Sequence, residues 1–289
     1  MHGMIGKQRR MSRIVDPMTG RGFGVALDHG LHLGNCPGVE HPEETLDQIV
    51  EAGVDAVILS VGTAIRYGAR IVRANGPALI LRLDHTTMWR EGGLAYPDGH
   101  TRLIASVEDA VALGADAVIT YLFVGHNDPQ LEDRAFEDCA KVNAAAHRAG
   151  MVHIIETMGA RGARCPDIAD PDLVAAHTRI GMELGADILK TDWPGSAEAL
   201  RRIAGSLPIP VMLAGGPNGG SDRGTLETVA QIIAGGGAGV LFGRSIIQAT
   251  NPMAVMRATR AIIHDGASVD EAMATAGIVT DAGCEASDG

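Results

Sequence analysis

The chain has 289 residues, 46% of them apolar and 20% charged, with 38 glycines and 3% aromatics; it can bury the core of one large domain or two modest ones. Its net charge of −11 is dispersed as a solvated surface and argues against general binding to nucleic acid or to an anionic membrane. No apolar run reaches the ~18 residues that a membrane helix needs, and no signal-peptide core follows the first basic residues.

In chain order, residues 1–13 carry few structure signals and are expected to form a flexible arm. GFGVALD (22–28) predicts a first strand near 23–28, and PEETLDQIVEAG (42–53) predicts a helix with acidic residues in its first turn. AGVDAV (52–57), LGADAV (113–118), LGADIL (184–189) and GGGAGV (235–240) then repeat one pattern, a helix-ending glycine followed by a strand buried on both faces. Between these copies lie GPALILRL (76–83), GMVHIIET (150–157) and PIPVMLAG (208–215), each one further strand. The full set is eight strands near 23–28, 54–60, 78–84, 116–122, 151–157, 186–191, 209–214 and 238–242. Further helices are predicted over 170–185 and 222–236. The stretch 86–104 exceeds a normal loop and is expected to cover a site.

Eight strands alternating with helices over roughly 250 residues is the rhythm of an α/β (β/α)8 TIM barrel. A doubly wound open sheet would want GxGxxG after the first strand, and LDHGLHLG lacks that spacing. No internal linker is evident. The expected organisation is one barrel domain over 14–278, between the N-terminal arm and a flexible tail over 279–289.

Barrel chemistry sits where the strands end. Those ends offer Asp28 and His29, Ser60, Asp84 and His85, Tyr121 with Gly125 and His126, Glu156, Lys190, Gly215 and Gly216, and Gly243 with Arg244. Only three lysines occur, Lys7, Lys141 and Lys190. Lys190 closes the apolar run ADIL, where an ammonium loses hydration, so it reads as a desolvated amine able to form a Schiff base. The structural alternative is an ion pair with Asp28 or Glu156. Gly215, Gly216, Gly243 and Arg244 follow the last two strands, where barrels commonly hold phosphate. Trp193 and Tyr121 are candidate pocket residues, with packing as the alternative for each. His29, His32, His85, His126 and His153 show no tight metal-binding motif and read mostly as loop or hydrogen-bonding histidines, and Cys36, Cys139, Cys165 and Cys284 form no CxxC pair. No metal, cofactor or disulfide is expected, and a reduced, cytoplasmic protein is.

SRIVDPMTGRGFGVALDHG (12–30), ADILKT (186–191), PVMLAGG (210–216) and GGAGVLFGRSIIQATNPMAVMRA (236–258) resemble archaeal-type class I fructose-bisphosphate aldolases and their relatives. Those relatives include an aminodideoxy-heptulosonate synthase and a thiolase acting on phosphorylated autoinducer-2. The resemblance implies a Schiff-base lysine at Lys190, an active-site aspartate at Asp28, and phosphate binding by Gly215, Gly216, Gly243 and Arg244. It also implies homo-oligomers such as ring-like decamers. One departure stands out: IETMGARG (155–162) puts Met158 where the aldolases carry a proton-transferring tyrosine.

The reading is therefore a metal-independent class I aldolase-type lyase acting on a phosphorylated keto compound. A thiolase-like acyltransferase and a non-catalytic sugar-phosphate-binding barrel are the alternatives. Thioether Met158 cannot move protons, so Glu156, His126 and Tyr121 are the candidates for that task, with Glu156 favoured because residues 156 and 158 share one strand face. His29, Asp84, His85 and Trp193 are expected around the substrate.

Overall fold

The computed structural model of the protein describes residues 2–161, 164–215 and 221–278. Eight parallel strands close into a barrel: β1 Gly22–Ala26, β2 Ala56–Ser60, β3 Ala78–Arg82, β4 Ala117–Val124, β5 Val152–Gly159, β6 Ile188–Thr191, β7 Val211–Ala214 and β8 Gly239–Phe242. Neighbours pair in chain order, and β8 closes on β1 with Gly22 opposite Gly239. That seam needs glycine. Gly239 has φ of +126°, and a Cβ there would collide with the Gly22 carbonyl.

Alternation along the strands sorts two cores. Ala56, Ile58, Ile80, Ile119, Ile154, Ile188, Met212 and Leu241 fill the barrel interior, while Val57, Leu59, Leu81, Val118, Ile155 and Leu189 pack outward with the helices. The segments expected to be helical over 42–53, 170–185 and 222–236 form helices Pro42–Glu51, Pro171–Glu183 and Asp222–Ala234.

The repeated GxD pattern has a physical cause. The aspartate just ahead of β2, β4 and β6 accepts a backbone N–H from the preceding strand: Asp55 from Phe23 at 2.7 Å, Asp116 from Leu79 at 3.1 Å, and Asp187 from His153 at 2.9 Å. Each carboxylate also meets a basic side chain, His264, Arg13 and Lys7 respectively, at 2.7–2.8 Å. These contacts correct the flexible-arm expectation for residues 1–13. Residues His2–Met11 form a helix, and Lys7, Arg10 and Arg13 fasten this segment to the rim, Arg10 through the Gly150 carbonyl at 2.9 Å. The tail expected over 279–289 lies outside the described residues.

The stretch after β3 is partly ordered as a two-stranded antiparallel ribbon, Asp84–Thr86 with Thr101–Leu103. It delivers Trp89 to the mouth of the barrel. Among the described residues no helix is long and apolar enough to cross a membrane.

Candidate active site

Above the apolar interior layer the same strand faces turn polar. Tyr121, Glu156, Lys190 and Met212 are register partners across β4, β5, β6 and β7, so the strand pairing itself places the lysine beside the glutamate. Lys190 Nζ lies 2.8 Å from Glu156 Oε1, and both side chains are buried. The ion pair weighed as the structural alternative is therefore present.

The other oxygen of Glu156 accepts from Arg82, a residue that the reading of strand ends passed over. Arg82 is fully buried at the end of β3 and is the hub of the site. Its Nε donates to Asp28 Oδ2 at 2.7 Å, its Nη1 approaches Asp84 Oδ1 at 3.4 Å, and its guanidinium stacks 3.8 Å from the Tyr121 ring centroid. The signal was in the sequence: an arginine inside ALILRL is as anomalous as a lysine after ADIL. His32 takes the Thr86 N–H on Nδ1 at 3.3 Å, which leaves Nε2 for the Tyr121 hydroxyl at 3.3 Å.

These pairings set the charges. Burial alone would raise the Asp28 carboxyl, but the Arg82 guanidinium and His32 hold it well below the usual carboxylate range. Burial likewise opposes ionisation of Glu156, and Lys190 and Arg82 outweigh it. Asp84 goes the other way: burial pushes it up to about 7 against Arg82 and the Tyr121 N–H.

A cavity opens over this cluster, bordered by Asp28, His29, Tyr121, Glu156, Met158 and Lys190 and by Gly215, Gly243 and Arg244. Glu156 and Met158 both reach it, as alternation requires. His29 packs against Gly243 so closely that a Cβ there would strike its ring. Burial lowers the His29 pKa to about 4, so the ring is neutral. Trp89 and Arg161 also border the cavity, with the Arg161 guanidinium 4.5 Å over the Trp89 ring.

Several expected residues fall elsewhere. His85 sits in the ribbon opposite Arg102 and does not border the cavity. His126 is buried beside Phe123, at 6.3 Å between ring centroids, with Glu132 and Asp98 as its nearby charges, and it too is outside. Asp84 lies beneath Arg82 rather than on the cavity wall. Trp193 lines an adjoining depression shared with Asp192 and Gly215. Gly216 lies outside the described residues.

Residues 23–249 match the DeoC/LacD family aldolase. The chain belongs to that family. It is 34% identical over 280 residues to a 2-amino-3,7-dideoxy-D-threo-hept-6-ulosonate synthase of Halobacterium salinarum, covering 96% of this chain and 98% of the relative. An uncharacterized aldolase of Saccharolobus solfataricus is 33% identical over 270 residues, covering 93% and 98%. Among solved structures, an archaeal fructose 1,6-bisphosphate aldolase superposes with a TM-score of 0.79 at 26% identity, over 90% of this chain and all of that one. A Schiff-base-forming fructose-1,6-bisphosphate aldolase gives 0.78 at 26%, over 89% of this chain and all of that one. The DeoC/LacD protein described here is thus an aldolase-type enzyme on a TIM barrel.

Proposed function

We propose that the protein makes or breaks a carbon–carbon bond in a phosphorylated keto compound through an iminium on Lys190. The observation that carries this reading is the pairing of Lys190 with Glu156 at 2.8 Å at the floor of a cavity. An amine must shed its proton before it attacks a carbonyl, and Glu156 Oε1 is the acceptor at hydrogen-bond distance. Lys190 and Arg82 keep Glu156 ionised, so an unprotonated oxygen faces the amine. After attack and loss of water, the iminium withdraws the electron pair of the adjacent bond, which is the electron sink the reaction needs. Asp28, fixed by Arg82, borders the same cavity and is placed to hold a substrate hydroxyl.

On the same cavity Gly215, Gly243 and Arg244 offer close backbone approach and one guanidinium, which suits a phosphate. Holding that remote group positions the reacting carbon over Lys190. The names of the relatives support a phosphorylated, sugar-like substrate. The family resemblance likewise supports a cytoplasmic homo-oligomer, which the mass in solution tests.

The decisive experiment treats the enzyme with borohydride in the presence of dihydroxyacetone phosphate, hydroxyacetone phosphate or fructose 1,6-bisphosphate, followed by intact mass and peptide mapping. A reduced adduct on Lys190 is expected. An adduct on Lys141, with activity surviving Lys190→Ala, would overturn the assignment.

A further inference from the structure

With Met158 on the cavity wall, the site needs another group to carry the proton of the carbon–carbon step. We propose that Asp192 is that group, giving and taking the proton at the substrate carbon next to the iminium. This rests on the Lys190 reading above.

The geometry begins with alternation. Lys190 and Asp192 are two residues apart at the end of β6, with outward-facing Thr191 between them, and both border the cavity. Asp192 Oδ2 is shielded from solvent and has no hydrogen-bond partner. A buried carboxyl oxygen without a partner is costly and is seldom retained for packing alone.

The other titratable groups on the cavity are already engaged. Glu156 is shared between Lys190 and Arg82, and Asp28 is held by Arg82. The Tyr121 hydroxyl meets His32, and burial with the surrounding carboxylates holds its proton far above the ordinary range. His29 titrates at about 4 and is a weak base. The charged groups acting on Asp192 are Glu156, Arg161 and Lys190. Burial and Glu156 push its pKa up to about 7, against Arg161 and Lys190, so both protonation states are present near neutrality, as an acid–base carrier requires.

The step balances. In condensation the Asp192 carboxylate removes a proton from the carbon beside the C=N⁺. The C–H electron pair becomes the enamine C=C, and the C=N π pair moves onto the Lys190 nitrogen. The enamine carbon then bonds the aldehyde carbon, and the nitrogen lone pair re-forms C=N⁺. The aldehyde oxygen takes the proton that Asp192 now carries, which restores the carboxylate. In cleavage the Asp192 carboxylate takes the hydroxyl proton as the C–C pair becomes the enamine C=C. The resulting carboxylic acid gives that proton to the enamine carbon.

The test uses the full-length enzyme and Asp192→Asn with the same three ketone phosphates, reading borohydride adduct and, in D2O, exchange of the C–H next to the carbonyl. The variant is expected to form the Lys190 adduct as the wild type does, yet lose exchange by about 10²-fold. Wild-type exchange should rise across a midpoint near pH 7, and the variant should lack that limb. Exchange within about threefold of wild type, with a normal adduct, would overturn the proposal while leaving the Lys190 reading intact. An adduct lost only in the variant would also overturn it, assigning Asp192 to holding the site. No adduct on the wild type with any of the three ketones would overturn both readings.

Discussion

Arg82 Nε donates to Asp28 Oδ2 at 2.7 Å, joining the ends of β3 and β1 beneath the cavity floor. The same guanidinium reaches Asp84 and Glu156, so one cation ties together three carboxyl groups from separate parts of the rim. Removing it takes from buried Asp28 its 2.7 Å donor and from Glu156 and Asp84 one partner each. Leaving a buried carboxylate under-paired costs more than the pairing itself contributes. Arg82→Met is therefore expected to destabilise the fold by about 3–5 kcal/mol in urea unfolding. Arg82→Lys, which keeps the charge but not the planar fork, should fall between. A loss under about 1 kcal/mol for the methionine variant would mean that the carboxyl groups re-protonate or rehydrate without strain.

Lys190→Ala should retain the fold, because Glu156 keeps Arg82 as its partner. Turnover should fall by roughly 10⁴-fold or more, as it does when a covalent nucleophile is deleted from machinery that acts as a unit. Steady-state assays on the ketone phosphates above check this, with urea midpoints as the control. Residual turnover within tenfold of wild type would exclude a covalent role for the residue.

The barrel was largely legible because its determinants are local. Each strand is an apolar run set off by a glycine or proline, and strand ends shifted by at most two residues against the pairing that closes the barrel. Lys190, Glu156 and Met158 could be placed on one face by counting in twos. The N-terminal helix was not legible, since its anchoring partners Asp116, Gly150 and Asp187 lie more than 100 residues away. Arg82 could have been found by the argument that found Lys190. The partners of His32 could not, because its contacts with Thr86 and Tyr121 leave no local pattern. His85 and His126 lie off the cavity, and a position just beyond a strand does not by itself determine which way the chain turns.

Glu156→Gln removes the acceptor for the Lys190 proton while preserving shape. Turnover is expected to slow by about 10²-fold or more, with little change in KM, and the loss should be partly recovered at higher pH, where hydroxide and buffer bases share the deprotonation. Initial rates from pH 6 to 10 give the profile. Near-normal rates throughout would show the Glu156–Lys190 pair to be structural.

Arg244 borders the Lys190 cavity from the end of β8. Arg244→Ala should weaken phosphorylated ligands by roughly 2–4 kcal/mol, the scale of a lost charge-assisted contact in a shielded site. Dihydroxyacetone should be affected little. Calorimetric titration of dihydroxyacetone phosphate and inorganic phosphate checks the first point, and adduct yield with dihydroxyacetone the second. Equal losses for phosphorylated and unphosphorylated ketones would make Arg244 a structural residue.

Asp192 also predicts a pH dependence of stability. Its folded pKa, about 7, lies above the ordinary value of 3.8 because of burial and the nearby Glu156. The native state therefore keeps a proton that the unfolded chain releases between roughly pH 4 and 7, and in that window stability falls as pH rises. Below the unfolded pKa both states are protonated and the penalty vanishes. Asparagine cannot ionise, so Asp192→Asn should remove this slope: relative to wild type, the variant gains roughly 1–4 kcal/mol on going from pH 4.5 to pH 8. Asp84, pushed up to about 7 in the same direction, stays in both proteins and cancels in the comparison. Urea unfolding of the two proteins at four pH values measures the difference. Parallel pH profiles would show that Asp192 ionises in the folded protein at its ordinary pKa, with its buried oxygen solvated by water that enters from the cavity.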